Sequence, residues 1–140
     1  MDKSNPALDP DGGVILDGDS LTLADVLAVA RQGARVRLDE GAATRVNDSR
    51  AWVDEVSRGG ALTVYGVNTG FGSLAEVRIP PDDVATLTRN LILSHSSGVG
   101  PPLPEEVVRA TMLIRANTLA KGYSGIRPET LETLIEMLNR

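Results

Sequence analysis

Tyr65-Gly66-Val67-Asn68-Thr69-Gly70-Phe71-Gly72 sets one phenol beside three glycines and two short polar side chains. Glycine tolerates positive φ and lets backbone approach backbone or ligand closely, so this density specifies a loop of defined shape. A phenol at the mouth of such a loop is a candidate proton acceptor, although phenols titrate near pH ~10 and need help to act as bases at neutral pH. A second run, Leu93-Ser94-His95-Ser96-Ser97-Gly98-Val99-Gly100, holds the only histidine of the chain. Its imidazole can donate or accept a hydrogen bond, which suits contact with a polar ring. The third run is Arg115-Ala116-Asn117-Thr118-Leu119-Ala120-Lys121-Gly122-Tyr123-Ser124-Gly125-Ile126-Arg127-Pro128.

Each signal also has a plainer reading. A lone tyrosine before a turn serves more often as a half-buried packing residue whose hydroxyl finds a carbonyl. A lone histidine at a helix end is usually a partner of the C-terminal dipole or a satisfied surface group. The third run reads as helix termination and packing, and Tyr123 is assigned no catalytic role. Phosphate binding is the rival for the glycine loop, since Gly70-x-Gly72-x-x-Ala75 matches a relaxed dinucleotide fingerprint. That fingerprint needs a helix to begin within the glycines, and Val77-Arg78-Ile79-Pro80-Pro81 leaves no room for one.

The elements that must position these runs are mostly helical. Residues 1–13 are polar and read as a disordered leader, with one domain over 14–140. Val14-Ile15-Leu16 predicts a brief strand before a turn at Asp17-Gly18-Asp19. Thr22, with Asp25 as capping-box partner, starts a helix whose stripe is Leu23, Val26, Leu27 and Ala30 and whose stop is Gly33. Residues 34–38 alternate like a short exposed strand. Residues 40–58 can form a helix with Ala42, Val46, Val53 and Val56 on one side. Leu62-Thr63-Val64 enters the glycine loop as a strand or extended segment, and the loop has few apolar anchors beyond Phe71 and Leu74. A helix over 82–95 carries Val84, Leu87 and Leu91 on one stripe. Pro104 opens another, to about Lys121, that is apolar nearly all round and therefore expects partners on several sides. Pro128 opens a last one, with Leu131, Leu134, Ile135 and Leu138 as its stripe.

Composition narrows the function classes. A chain of 140 residues with 41% apolar content is enough for one domain with a core. A net charge of -5 and the lack of a Lys/Arg cluster argue against nucleic acid as a partner. Without cysteine there is no thiol nucleophile or thiolate metal site, and one histidine argues against a histidine metal site, so no metal is expected. No apolar run nears the ~18 residues of a membrane span, and the start lacks a signal-peptide core, so a cytoplasmic protein is expected.

In order and spacing the three runs resemble the N-terminal part of the histidine and aromatic amino-acid ammonia-lyases and their aminomutase relatives, from about Val14 to the last residue. The resemblance implies a mainly α fold with a few short strands, truncated before the long-helix core of a homotetramer is complete. It implies a small amino acid as substrate and Tyr65, on a mobile loop, as the base that takes its β-proton. Gly66, Gly70 and Gly72 would bring loop backbone against the substrate, while Asn68 and Thr69 would fix the loop's shape. Residues at the positions of Ser94 and His95 help choose the substrate side chain. A Ser-His pair is similar to that of histidine ammonia-lyases and of some bacterial tyrosine aminomutases. The implied electrophile is a methylidene-imidazolone built from Ala-Ser-Gly in a segment outside this chain. Without an electrophile the amine remains a poor leaving group, so the chain alone is expected to be inactive. Three readings stand: part of a lyase converting L-histidine to urocanate, part of a tyrosine or other aromatic 2,3-aminomutase, and a catalytically inert or subunit-association piece.

Overall fold

The computed structural model describes residues 12–59 and 62–140. Apart from Gly12 and Gly13, the leader expected over residues 1–13 lies outside the described residues. Among the described residues nine elements follow in order: β1 (Val14–Leu16), α1 (Leu23–Gln32), β2 (Val36–Leu38), α2 (Glu40–Gly59), two single 3-10 turns (Gly72–Leu74 and Pro81–Asp83), α3 (Val84–His95), α4 (Glu105–Ala120) and α5 (Pro128–Asn139). The fold is mainly helical, as the sequence predicts. None of the described helices is long and apolar enough to cross a membrane. The chain divides into two compact units: one runs up to Ala51 and resumes over Leu103–Arg140, and the other is Trp52–Pro102.

In the first unit β1 and β2 pair in parallel, Val14 with Val36 and Leu16 with Leu38. Parallel strands need a crossover, and α1 supplies it. The Thr22 hydroxyl accepts from the Asp25 amide at 3.2 Å while the Asp25 carboxylate accepts from the Thr22 amide at 2.9 Å, which is the expected capping box. Gly33 ends the helix in the left-handed conformation. The buried face of α1 differs from the predicted stripe. Asp25 and Val29 are buried, whereas Leu23 and Leu27 are 76% and 40% exposed. Val26 of the predicted stripe packs against the core, but the fully buried line of α1 is 25/29 and not 23/27. The strand expected to be exposed is also covered on one side: Val36 is buried.

The core of this unit joins Val14, Leu16, Val29, Val36 and Val46 to Leu113 and Ala116 of α4 and to Leu131, Ile135 and Leu138 of α5. The α5 stripe is as predicted, with Leu134 packed at its margin. Polar side chains fasten the element ends. Arg109 donates to the carbonyls of Val29 and Leu138, and the Asn139 amide both donates to and accepts from Val36 backbone, completing the free edge of β2. The Lys121-to-Arg127 run works as helix termination, as expected. Gly122 has φ of 80°, and a Cβ there would lie 2.6 Å from the Arg45 side chain. Gly125 donates to Ser49 at 3.0 Å and accepts from Arg50 at 3.3 Å, which ties α2 to the α4–α5 connection. Tyr123 is 89% exposed and makes no such tie.

Candidate functional site

The second unit carries the glycine loop and α3. Leu62–Val64 forms no strand, which removes the first of the two forms expected, strand or extended segment, and Tyr65–Asn68 forms a turn. Polar bonds give this loop its shape. Asn68, only 6% exposed, accepts from the Val64 amide at 2.8 Å and donates to the Leu62 carbonyl at 2.7 Å. Thr69, 2% exposed, accepts from the Gly66 amide at 3.2 Å and donates to the Gly70 carbonyl at 3.0 Å. Buried side chains that answer four backbone groups hold a turn without an apolar core, because each lost bond would leave a buried polar group unpaired.

The loop then closes on itself. Thr69 and Arg78 form an antiparallel bridge. Gly70 donates to Val77 at 3.1 Å and Ile79 donates to Asn68 at 3.0 Å. Between them the chain makes one 3-10 turn, and a Cβ on Gly70 would sit 2.5 Å from the Leu74 Cβ, so that position must be glycine. The sequence reading missed this closure. Its signal is the alternating Val77-Arg78-Ile79 stretch ahead of Pro80-Pro81.

Tyr65 rides on the frame without being part of it. The residue is 63% exposed, and its ring meets Phe71 edge-on, with centroids 6.0 Å apart and planes at 74°. The phenol therefore reaches out from a turn whose polar bonds are made by other residues. Gly72 starts the 3-10 turn with φ of 58° and open space where a Cβ would be.

Ser94 and His95 form the last turn of α3, both exposed. The expected stripe of Val84, Leu87 and Leu91 is the half-buried side of that helix. Ser94 Oγ and His95 Nδ1 each lie 2.9 Å from the Leu91 carbonyl oxygen and 2.9 Å from one another. Sequence reading singled out Ser94 and His95 but not the carbonyl that holds them. The three- and four-residue spacing back to Leu91 was the available signal. Among the described residues no hydrogen bond or ring contact joins Tyr65 to Ser94 or His95, so the two halves of the candidate site stand on separate supports.

Two cavities lie elsewhere, within the first unit. One, of 560 Å³, is lined by the glycines at 12, 13 and 33 with residues 34–37 and Asn139. The other, of 720 Å³, lies along α5 beside Leu119. Neither is lined by any of the four candidate residues. No group of three His, Asp or Glu side chains that could hold a metal occurs among the described residues.

The profile of the aromatic amino acid lyases matches residues 21–140. The chain belongs to that family. It is 57% identical over 125 residues to histidine ammonia-lyase of Streptococcus pyogenes, covering 89% of this chain and 24% of that protein. The chain thus spans about a quarter of the length of such curated relatives. Among solved structures, ergothionase from Treponema denticola, an ergothioneine-degrading enzyme, superposes with a TM-score of 0.84 at 37% identity, over 91% of this chain and 25% of that one. Tyrosine aminomutase from Streptomyces globisporus gives 0.83 at 37%, over 91% and 24%. The family uses a methylidene-imidazolone. That group forms from Ala-Ser-Gly, a triplet absent from these 140 residues, so this chain's own residues do not fit its precursor.

Proposed function

We propose that this chain is the base-bearing and ring-contacting part of an amino-acid ammonia-lyase that eliminates ammonia from L-histidine to give urocanate. The observation that carries the reading is the Tyr65 loop: two buried polar residues hold the turn while Tyr65 itself stays 63% exposed. A base must reach its proton, so it belongs on a turn of defined local shape, whether or not the loop as a whole moves, with its reactive atom outside the turn's own bonding. Tyr65 takes the β-proton, the Gly72 backbone lies against the substrate, and Ser94 and His95 form the end of the pocket that meets the ring. The amino group leaves by way of an electrophile that other sequence supplies, in a homotetrameric assembly.

Histidine is favoured over tyrosine by the 57% identity to histidine ammonia-lyase of Streptococcus pyogenes, and among solved structures by a narrower margin, 41% to histidine ammonia-lyase from Trypanosoma cruzi against 37% to the tyrosine aminomutase. The aminomutase reading shares the same residues and keeps one specific support, the TM-score of 0.83. The deciding experiment uses a complete enzyme bearing this segment, offered L-histidine and L-tyrosine in parallel. Urocanate formation that is lost in Tyr65→Phe supports the lyase reading. Formation of β-tyrosine without urocanate overturns it in favour of the aminomutase.

A further inference from the structure

The Leu91 carbonyl oxygen, Ser94 Oγ and His95 Nδ1 form a triangle with every side 2.9 Å. A carbonyl oxygen can only accept, and a serine hydroxyl has one hydrogen to give. If Nδ1 were bare, its lone pair would face that of the Leu91 carbonyl at hydrogen-bond distance with nothing between them. The single hydroxyl hydrogen could then serve only one of the two. If Nδ1 carries a hydrogen, the whole triangle is satisfied. The Ser94 hydroxyl donates to Leu91, and Nδ1–H donates into the angle between the Leu91 carbonyl and Ser94 Oγ.

We infer that the Leu91 carbonyl and the Ser94 hydroxyl hold neutral His95 in its Nδ1–H tautomer, with Nε2 left as a bare acceptor. Which ring nitrogen carries the proton is set by the bond the other nitrogen makes, so a local serine can decide what the imidazole offers a ligand. Beside its place at the end of the proposed pocket, Ser94 then acts through His95 as a positioning residue, because its hydroxyl hydrogen goes to the Leu91 carbonyl. The consequence for the ligand rests on the proposed reading that His95 meets the substrate ring. An acceptor Nε2 selects rings that donate, such as an imidazole N–H or a phenol O–H. It gains nothing from a phenyl ring and opposes a pyridyl nitrogen, which only accepts.

Because the chain has a single histidine, its imidazole nitrogens can be assigned without ambiguity. Long-range proton–nitrogen correlation spectra of the 15N-labelled chain at about pH 9, where an ordinary imidazole is uncharged, read the tautomer directly. The expected pattern is a pyrrole-type Nδ1 and a pyridine-type Nε2. A dominant Nε2–H form in the unsubstituted chain overturns the inference. Removing one of two acceptors for Nδ1–H in Ser94→Ala should lower the Nδ1–H to Nε2–H ratio about threefold to tenfold, and Ser94→Thr should restore it. A ratio unchanged in Ser94→Ala removes serine from the role. A dominant Nδ1–H form together with ring selection that ignores His95→Leu in a complete enzyme would leave the tautomer standing. That pairing would instead sink the assignment of His95 to the substrate.

Discussion

Tyr65 and His95 should fail differently when changed, because one is proposed to move a proton and the other to recognise a ring. In a complete enzyme, Tyr65→Phe deletes one oxygen from a ring whose contact is edge-on with Phe71, so the loop keeps its packing. Elimination should fall by at least about 10²-fold, as expected for loss of a general base, with substrate binding nearly unchanged. Steady-state kinetics with binding measured separately would show kcat falling and affinity held. A matching loss of both would mean that the phenol is structural. His95→Leu leaves the base untouched and removes a polar contact at the end of α3. Its cost should be roughly 1–3 kcal/mol on a histidine or tyrosine ring and near zero on phenylalanine. Turnover of the three substrates compared in one preparation tests it. Equal losses on all three would remove the selector role.

Local frames bear these side chains, and their stability is set by polar atoms more than by apolar area. Asn68→Ala would strand the Val64 amide and the Leu62 carbonyl, which the Asn68 side chain now answers. Val64 is half-buried and Leu62 is exposed, so water can answer the freed groups in part; the loss should be about 1 kcal/mol and the turn should open locally. Hydrogen exchange at Val64, Asn68 and Gly70 should quicken while α4 stays protected, and unchanged exchange would mean that the loop is held by something else. The Asp17–Ser20 turn offers a pH test. Burial pushes the Asp17 carboxyl up, but amide hydrogen bonds from Ser20 and Asp19 outweigh it and bring it below the ordinary 3.8. A carboxylate held low stabilises the fold above pH 3.8 and loses that contribution as pH falls through the lowered value. Beside it, the hydrogen bond and charge of Asp19 raise Lys121 above 10.5, a contribution present below 10.5 and lost as pH climbs through the raised value. Asp17 is half-buried, and Asp17→Asn keeps an oxygen that can accept from the Ser20 and Asp19 amides but loses the charge, so the change should cost only about 0.5–1 kcal/mol at neutral pH. In thermal melts across pH, the gap between that variant and the unsubstituted chain should vanish in acid. A gap that persists there would contradict the linkage.

For the whole molecule, motif and helix periodicity were legible where one residue type answers one local need. Thr22 with Asp25 caps α1, Gly33 stops it, and the Leu131, Leu134, Ile135 and Leu138 stripe meets the core because nothing local competes. The fully buried line of α1 was illegible, since it includes a carboxylate that a hydrophobic pattern counts as surface. The closure of the loop between Thr69 and Arg78 was missed for a related reason: backbone bonds carry it, and side-chain pattern barely marks them. Of the candidate site, the residues could be named from sequence, but the Leu91 carbonyl beneath His95 could not, because every residue has one. The same periodicity predicted that α4 would want cover on several sides. Leu113, Ala116, Leu119 and Ala120 are buried there, while Val107, Val108 and Ile114 remain 42%, 41% and 52% exposed. Apolar side chains left in water on a helix that is already packed on one face favour association, at roughly 25 cal/mol per Å² covered. The isolated chain should therefore self-associate with rising concentration, and Val108→Lys with Ile114→Lys should reverse this without unfolding it, since neither side chain enters the core. Sedimentation velocity at low and high micromolar concentration separates the outcomes. A monomer throughout the range would mean that these side chains are tolerated as ordinary surface and that α4 calls for no second partner.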